Sequence, residues 1–202
     1  MDGSGKSTQA KKLQEHLQKN NIICQYQWYR YPNKFSLVFD GFIKLLGKTV
    51  YPISEEKKKK GIKNLENHNT LSNILKNFLL LDFKFLNYFK IIKNLKENKN
   101  LILDRFIIDT IVDLVIISGG SLSSECLIKE FSHLIPPKTK IIFLDIDPMI
   151  SFQRNHEEDV ETLTKKRILY HHLIKLIGGI IINAEKPIEE VHKKILSECG
   201  LD

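Results

Sequence analysis

The chain has 202 residues, of which 42% are hydrophobic and 27% are charged, a composition that is ordinary for one soluble globular domain. No apolar run approaches the ~20 residues of a membrane span, and no signal peptide precedes the first motif, so we expect a cytoplasmic protein without a membrane partner. The formal net charge of +7 has two explanations, attraction to phosphate-bearing partners or a compositional bias toward Lys, Ile and Asn, and we favour the second. No aromatic residues interleave with the lysine run at 57–60, so we expect no nucleic-acid partner.

The first eight residues, MDGSGKST, predict a phosphate-binding loop. Gly3 and Gly5 allow the backbone to curl, so that successive N–H groups point at one anion. Lys6 can then reach the β- and γ-phosphates of a nucleotide, and Ser7 can offer its hydroxyl to Mg²⁺. An amphipathic helix predicted from about 7 to 20 adds the positive end of its dipole, and it disfavours the alternative of a flexible Gly/Ser-rich terminus.

The complete pattern of such a loop contains an earlier glycine and follows a buried strand. Both would precede Met1, so we expect a central strand of the sheet to be missing from the chain. Its neighbours would be the strands that the apolar runs at 101–103 and 140–145 predict.

The rest of the chain alternates between predicted strands and helices. Strands are predicted over 22–28, 101–103, 140–145 and 180–182, and helices over 36–46, 70–96, 109–118, 124–134, 148–154, 161–177 and 187–199. The polar, lysine-rich stretch 49–69 predicts a mobile insertion, and 155–165 predicts a short lid. The alternation favours one α/β domain over 1–202, a doubly wound parallel sheet with helices on both faces.

Charged residues follow the predicted strands at the points where the strands end, which is the edge at which such sheets bind ligands. Asp104 after an apolar run is typical of the partner of a phosphate loop, where it holds Mg²⁺ through water or orients the acceptor oxygen. Arg105 beside it suits bidentate phosphate binding. The alternative is a structural salt bridge between these two residues.

Five segments resemble the thymidylate kinase family in sequence and in order: DGSGKSTQ at 2–9, RYP at 30–32, DRF at 104–106, LD at 144–145 and INAEKPIEEV at 182–191. The resemblance covers nearly the whole chain except 49–69. It implies a three-layer P-loop NTPase fold and ATP-dependent phosphorylation of a nucleoside monophosphate, with dTMP converted to dTDP. It also implies Mg²⁺ as cofactor, small-molecule nucleotides as partners and a homodimer.

The resemblance also assigns site residues. It implies catalytic roles for Lys6, Asp2, Arg105 and Asp104, with Ser7 and Asp104 holding the metal ion. Its ATP-binding set is Gly3, Ser4, Gly5, Lys6, Ser7, Thr8, Arg154 and Asn183, with Arg154 packed on the adenine and Ala184 bordering it. Its acceptor-binding set is Asp2, Arg30, Lys84, Arg105 and Asp109.

Several positions depart from the family pattern. Lys84 stands where the family has an arginine for the base, and Asp109 stands where it has a serine. Asp109 and Asp113 share a helix face, and two carboxylates would repel an acceptor phosphate unless a cation intervenes.

The lid lacks arginine, which leaves only Lys165, Lys166 and Arg167 on the next helix as cations. The alternatives are therefore a kinase for another small phosphorylated acceptor and a non-catalytic nucleotide-binding relic. Two aromatic residues, Trp28 and Tyr170, are interpreted as packing residues rather than ligand contacts, although Trp28 lies near the strand edge where ligands bind.

Overall fold

Helices alternate with short strands in a computed structural model that describes residues 2–28, 41, 45, 49–50, 62–63, 65, 68–86, 91–97 and 100–201. The helices are α1 (Lys6–Lys19), α2 (Asn69–Leu86), α3 (Lys93–Lys96), α4 (Ile107–Ile117), α5 (Ser124–Phe131), α6 (Pro148–Arg154), α7 (Val160–Leu176) and α8 (Ile188–Cys199). The strands are β1 (Cys24–Trp28), β2 (Thr49–Val50), β3 (Ile62–Lys63), β4 (Asn100–Asp104), β5 (Ile142–Asp145) and β6 (Ile180–Asn183).

Side-chain caps fix the first residues of three helices. Ser123, Asp147 and Asp159 each accept a hydrogen bond from a backbone N–H in the first turn of α5, α6 and α7, at 3.4, 2.8 and 2.8 Å. Pro148 occupies the first turn of α6, where its missing N–H costs nothing. At the other end of the chain, Gly200 terminates α8 in the left-handed region, with φ of 70°.

The strands form two parallel pairs and one antiparallel pair within the described residues. β1 lies parallel to β4, with Trp28 opposite Asp104, and β5 lies parallel to β6, with Asp145 opposite Asn183. β2 and β3 are antiparallel. Two of the three pairs are parallel, as predicted, but on their own the described strands do not show one doubly wound sheet. β4 and β5, which we expected to be separated by a further strand, share no ladder within the described residues.

A single apolar core joins the helices to these strand pairs. α4 packs against both α5 and α7, and α1 packs against β1, β4 and α8. Ile107, Ile111, Phe131 and Leu173 are fully buried where these elements meet. Because α4 starts directly after β4, this packing also fixes the β4–α4 connection, at which Asp104 and Arg105 lie.

Three predicted segments are described only in part. Within the predicted helix 36–46 only Gly41 and Leu45 are described, and both are helical. The predicted helix 70–96 is found as α2 and α3, with 87–90 outside the described residues. The segment 49–69, expected to be a mobile insertion, contributes β2, β3 and a fully buried Leu65 whose N–H donates to the backbone of Ile117 at 3.0 Å.

No helix in the described part of the chain is both long enough and apolar enough to cross a membrane.

Candidate active site

The loop at 2–5 has the backbone geometry of an anion-binding turn. Gly3 and Gly5 have φ of 75° and 80°, values that favour glycine, and α1 begins directly after Gly5. A side chain at Gly3 would also stand 3.0 Å from the carbonyl oxygen of Ser151, so this position needs glycine for space as well. The loop therefore presents its backbone N–H groups next to the positive end of α1.

Helix α6 holds the other side of this loop. Ser151 Oγ donates to the backbone oxygen of Asp2 at 2.6 Å, and Arg154 Nη1 donates to the backbone oxygen of Gly3 at 3.2 Å. Since α6 follows β5, these contacts connect the end of the β5–β6 pair to the loop. Arg154, assigned to the adenine by the resemblance, lies at the edge of the phosphate loop.

Asp104 at the end of β4 contacts the first turn of α1. Ser7 Oγ donates to Asp104 Oδ2 at 2.5 Å, and the Tyr26 hydroxyl donates to the same oxygen at 2.9 Å. Asp104 is 3% exposed, and its other oxygen, Oδ1, is buried without a hydrogen-bond partner among the described residues. Burial and the nearby Asp104 carboxylate raise the pKa of Tyr26, so this tyrosine stays a hydrogen-bond donor at neutral pH.

Arg105, in the connection between β4 and α4, lies between two carboxylates. Its guanidinium forms an ion pair with Asp2, and Arg105 Nη1 lies 3.5 Å from Asp109 Oδ1. Lys6 Nζ lies 3.9 Å from Asp2 Oδ1, so two cations meet at the Asp2 carboxylate. The structural salt bridge considered between Asp104 and Arg105 is not formed.

Arg105 also has an uncommon backbone conformation, with φ of 67°. A residue with a Cβ in the left-handed region is strained, by an amount on the order of 1 kcal/mol or more. Such strain persists only where surrounding contacts fix the residue, and the ion pairs with Asp2 and Asp109 do so here. The strain therefore marks Arg105 as a residue whose side-chain direction is set by the site.

Asp109 is held on three sides. Its Oδ1 accepts from the Tyr170 hydroxyl at 2.9 Å, and its Oδ2 accepts from the Phe106 N–H at 3.4 Å. Burial raises the pKa of Asp109, but the positive charges of Lys6 and Arg105 lower it by more. The net pKa lies below its ordinary value, so Asp109 is a carboxylate at neutral pH.

A cavity of about 200 Å³ is lined both by Ser7, the partner of Asp104, and by Arg105, the partner of Asp2 and Asp109. Its lining consists of eight residues, six of them from the loop and the first turn of α1: Asp2, Gly3, Gly5, Lys6, Ser7, Thr8, Trp28 and Arg105. Cations and backbone N–H groups dominate this lining, so the cavity suits an anionic ligand. Trp28 is 56% exposed at its rim, so the interpretation of Trp28 as a packing residue is wrong.

Carboxylates also pair with the cations that follow the lid. Lys166 lies 2.7 Å from Asp113 and 2.6 Å from Glu158 of the lid. Burial lowers the pKa of Lys166, but these two carboxylates raise it by more, so the lysine stays charged. Asp113, expected to repel the acceptor, is thus neutralised by Lys166, as Asp109 is by Arg105.

Arg167 donates to both oxygens of Asp145 at 2.8 Å, a bidentate pair at the end of β5. Lys165 lies 2.7 Å from Glu161 within α7. All three candidate lid cations therefore have carboxylate partners in the structure.

The structure brings some of the predicted site residues together and not others. Asp2, Gly3, Gly5, Lys6, Ser7, Thr8 and Arg105 line the cavity, while Asp104 and Asp109 contact residues that line it. Ser4 is buried in the loop. Lys84 is exposed on the last turn of α2, and Asn183 accepts from the N–H of Glu185 after β6; neither lines the cavity. Arg30 lies outside the described residues.

Comparison with known families adds a separate observation. The model of the family described as thymidylate kinase matches residues 56–195. The chain belongs to the thymidylate kinase family. Members of this family are P-loop kinases, so the loop geometry and the family agree on phosphoryl transfer. No curated protein matched the chain.

The range of the family match bears on two expectations. It begins after the phosphate loop at 2–8, so the loop and the match are independent observations. It includes 56–69, so the expectation that the whole of 49–69 lies outside the thymidylate kinase pattern is wrong for these positions.

The sequence analysis assigned no site role to three side chains that lie at this candidate site: Tyr26, Trp28 and Tyr170. Tyr26 and Trp28 are two apart on β1, so they share the face of the strand that meets Asp104. That spacing, read with the expected ligand edge, was a usable signal. Tyr170 does pack, stacked on Phe143 with ring centroids 4.8 Å apart, but its hydroxyl contact to Asp109 had no signal in the sequence.

Proposed function

We propose that this kinase transfers the γ-phosphoryl group of ATP to a nucleoside monophosphate, and that the acceptor is dTMP. The observation that carries the proposal is the 2.5 Å contact between Ser7 and Asp104, beside a glycine loop that lines a cationic cavity. A hydroxyl and a carboxylate at this position are what a nucleotide-bound metal ion needs. The preference for dTMP over other monophosphates rests on family membership.

The loop and Lys6 would hold the donor. Backbone N–H groups of the glycine loop would bind phosphate oxygens of ATP, and Lys6, at the start of α1, would bind the β- and γ-phosphates. Asp2 lies 3.9 Å from Lys6, and an incoming phosphate would compete with it for the ammonium. These groups orient the γ-phosphoryl group, and positioning supplies much of the rate in phosphoryl transfer.

The residues beside Lys6 fit a divalent cation. Asp104 Oδ1 is buried without a partner, and a bound cation or its water would satisfy that oxygen. No group of three His, Cys, Asp or Glu side chains in the described part of the chain could hold a metal alone. Ser7 and Asp104 would therefore hold Mg²⁺ together with phosphate oxygens and water. When bound, Mg²⁺ neutralises charge that develops on the transferring phosphates.

Arg105 would hold the acceptor phosphate. An oxygen of that phosphate forms a bond to the γ-phosphorus while the bond to the β–γ bridging oxygen breaks, which gives the diphosphate product and ADP. Arg105 is already directed to the cavity by Asp2 and Asp109, and bidentate binding of a phosphate suits its guanidinium. Arg30 and Lys84 remain proposed acceptor contacts by resemblance.

The finer fold assignment belongs to this proposal. We infer that the pairs β1–β4 and β5–β6 are parts of one doubly wound sheet with helices on both faces, as in a three-layer P-loop fold. What supports this is that α6, which follows β5, contacts the loop that leads into α1, which packs on β4. The two pairs thus approach the same ligand site.

The test is a coupled assay for ADP release with ATP and Mg²⁺ across a panel of nucleoside monophosphates. Turnover should be highest with dTMP and should require both substrates. Lys6→Ala should lower kcat by about 10²-fold or more, because the transferring phosphate loses a cation. Turnover with another phosphorylated acceptor only, or with none, would contradict the dTMP proposal.

A further inference from the structure

A buried tyrosine, Tyr170, contacts the carboxylate that pairs with Arg105, the arginine in the cavity lining. Tyr170 lies on α7 with 5% of its surface exposed, and its ring stacks on Phe143 at an interplanar angle of 13°. Its hydroxyl donates to Asp109 Oδ1 at 2.9 Å. A phenylalanine would fill the same space, so the hydroxyl adds nothing to the packing and its hydrogen bond needs another explanation.

The two hydrogen bonds that Asp109 accepts fix the orientation of its carboxylate. Phe106 N–H fixes Oδ2 at 3.4 Å, and Tyr170 fixes Oδ1, the oxygen that lies 3.5 Å from Arg105 Nη1. A carboxylate held by two donors cannot rotate toward its cationic neighbour without losing one of them. Asp109, which is not among the residues that line the cavity, therefore presents a fixed negative charge to Arg105, which is.

We propose that Tyr170 is a positioning residue for Arg105: its hydroxyl holds Asp109, and Asp109 keeps the guanidinium directed at the acceptor phosphate. This inference rests on the proposed function, because it takes Arg105 to be the acceptor-phosphate ligand. Arg105 carries the left-handed φ of 67°, which shows that its conformation depends on the contacts around it. Burial and the nearby Asp109 hold the pKa of Tyr170 well above its ordinary value, so the hydroxyl remains a donor throughout the working pH range.

Loss of the hydroxyl should loosen this arrangement rather than the fold. Freed Oδ1 would be able to move closer to Arg105 and compete with the acceptor phosphate for the guanidinium. The acceptor would then bind more weakly, while the donor side, which Tyr170 does not touch, would be unaffected. A purely structural tyrosine would instead affect both substrates or neither.

The experiment compares Tyr170→Phe with the wild type in steady-state kinetics and in calorimetric binding of dTMP. We expect the KM and the Kd of dTMP to rise about 5- to 20-fold, less than the roughly 10- to 150-fold for losing a charged group that binds the phosphate directly, because Tyr170 acts through Asp109. The KM of ATP should stay within about 2-fold, and the midpoint of thermal unfolding should change by no more than about 2–3 °C, since the stacked ring is kept.

Tyr26→Phe provides the matched control. Tyr26 donates to Asp104 at the same 2.9 Å distance, but on the donor side of the site. Loss of the Tyr26 hydroxyl should raise the KM of ATP·Mg²⁺ and leave the KM of dTMP nearly unchanged. The two variants delete the same atom, so opposite substrate effects show that the effect is local.

A double-mutant cycle tests the route through Asp109. Asp109→Asn alone should also weaken dTMP binding, and adding Tyr170→Phe to it should have little further effect, because the tyrosine acts through that carboxylate. Additive effects of the two substitutions, or equal effects of Tyr170→Phe on both substrates, would overturn the inference. Failure of the wild type to turn over dTMP that it binds would contradict the proposed function instead, and the Kd values would still test the role of Tyr170.

Discussion

Asp104 and Asp109 lie on either side of the β4–α4 connection, and each accepts a hydrogen bond from a tyrosine hydroxyl at 2.9 Å. Their surroundings otherwise differ. Among the described residues Asp104 pairs with no cation; its second partner is the Ser7 hydroxyl, and one of its oxygens is unsatisfied. Asp109 already has Arg105 at 3.5 Å.

This difference separates the site into two halves. The open half consists of the loop, Ser7, Tyr26 and Asp104, and the assembled half consists of Arg105, Asp109 and Tyr170. A buried carboxylate without a cation is unfavourable unless a ligand supplies positive charge, so Asp104 is suited to a metal ion that arrives with the nucleotide. Asp109 is neutralised before any ligand binds, so it is suited to direct a side chain and not to hold a metal ion. Two carboxylates on one connection thus have different chemistry because their neighbours differ.

The largest expected effect comes from changing the open half. Asp104→Asn keeps the shape of the side chain but removes the charge that the metal ion needs. We expect kcat to fall about 10²- to 10³-fold, a range typical of losing a group that stabilises the transition state. Raising the Mg²⁺ concentration should recover part of the rate. The measurement is turnover as a function of Mg²⁺, with Glu190→Gln, which changes an exposed carboxylate on α8, as a variant that should not respond.

A smaller effect is expected in the assembled half. Arg105→Ala removes a charged hydrogen-bonding group worth about 1.5–3 kcal/mol, so the KM of dTMP should rise about 10- to 150-fold. The KM of ATP should change far less, because Lys6 and the loop remain. If initial rates showed equal changes for both substrates, Arg105 would not be the acceptor ligand and the division into halves would be wrong.

The sequence predicts the open half well because a motif encodes it. Glycines at fixed positions, Lys6, Ser7 and an aspartate after an apolar strand define that half by local spacing, and the structure brings Ser7 and Asp104 into contact. The bounds of α6 and the strand β5 were also predicted closely, since Pro148 and a run of β-branched and aromatic residues act locally.

The assembled half depends on contacts that no local pattern records. Tyr170 is 61 residues from Asp109, so their contact requires the packing of distant elements. In the open half, the contact of Tyr26 with Asp104, 78 residues away, requires the same. The same reason explains the sheet. Alternating strands and helices predict parallel pairing, which two pairs show, but how the β1–β4 pair lies relative to the β5–β6 pair depends on tertiary packing.

The pH dependence of stability offers a third way to examine the assembled half. The pKa of Asp109 is lower in the folded protein than the ordinary value of about 4, so its ionisation stabilises the fold above that pH. This contribution is lost as the pH falls through the folded-state pKa. Asp109→Asn should therefore destabilise the protein by about 1–3 kcal/mol at pH 7, and the difference from wild type should shrink below about pH 4.

Urea unfolding of both proteins between pH 7 and pH 3 provides this comparison. A constant difference across that range would show that the Asp109 side chain contributes by packing and hydrogen bonding alone. Tyr170→Phe is a useful companion, because it removes a donor to Asp109 without changing the charge. The difference in the free energy of unfolding between Tyr170→Phe and the wild type should also shrink as the pH falls, but by less than for Asp109→Asn.

The smallest expected effect concerns the rim that joins the two halves. Trp28 is the single tryptophan of the chain, it is 56% exposed, and it stands opposite Asp104 in the β1–β4 register. An indole beside a cationic cavity suits a ligand with an anionic end and an aromatic ring, since the ring can stack while the phosphate binds Arg105. The fluorescence of Trp28 should therefore change when dTMP binds. Inorganic phosphate, which has no ring, should produce a much smaller change.

Substitution sharpens this last test. Stacking of one aromatic pair is worth about 0.5–1.5 kcal/mol, so Trp28→Ala should raise the KM of dTMP about 2- to 12-fold, and Trp28→Phe should raise it less. The KM of ATP is the reference, because the loop and Lys6 are unchanged in both variants. If ATP alone altered the emission and dTMP did not, Trp28 would belong to the donor half with Tyr26, its neighbour on the same face of β1. The boundary between the two halves would then run between Trp28 and Arg105.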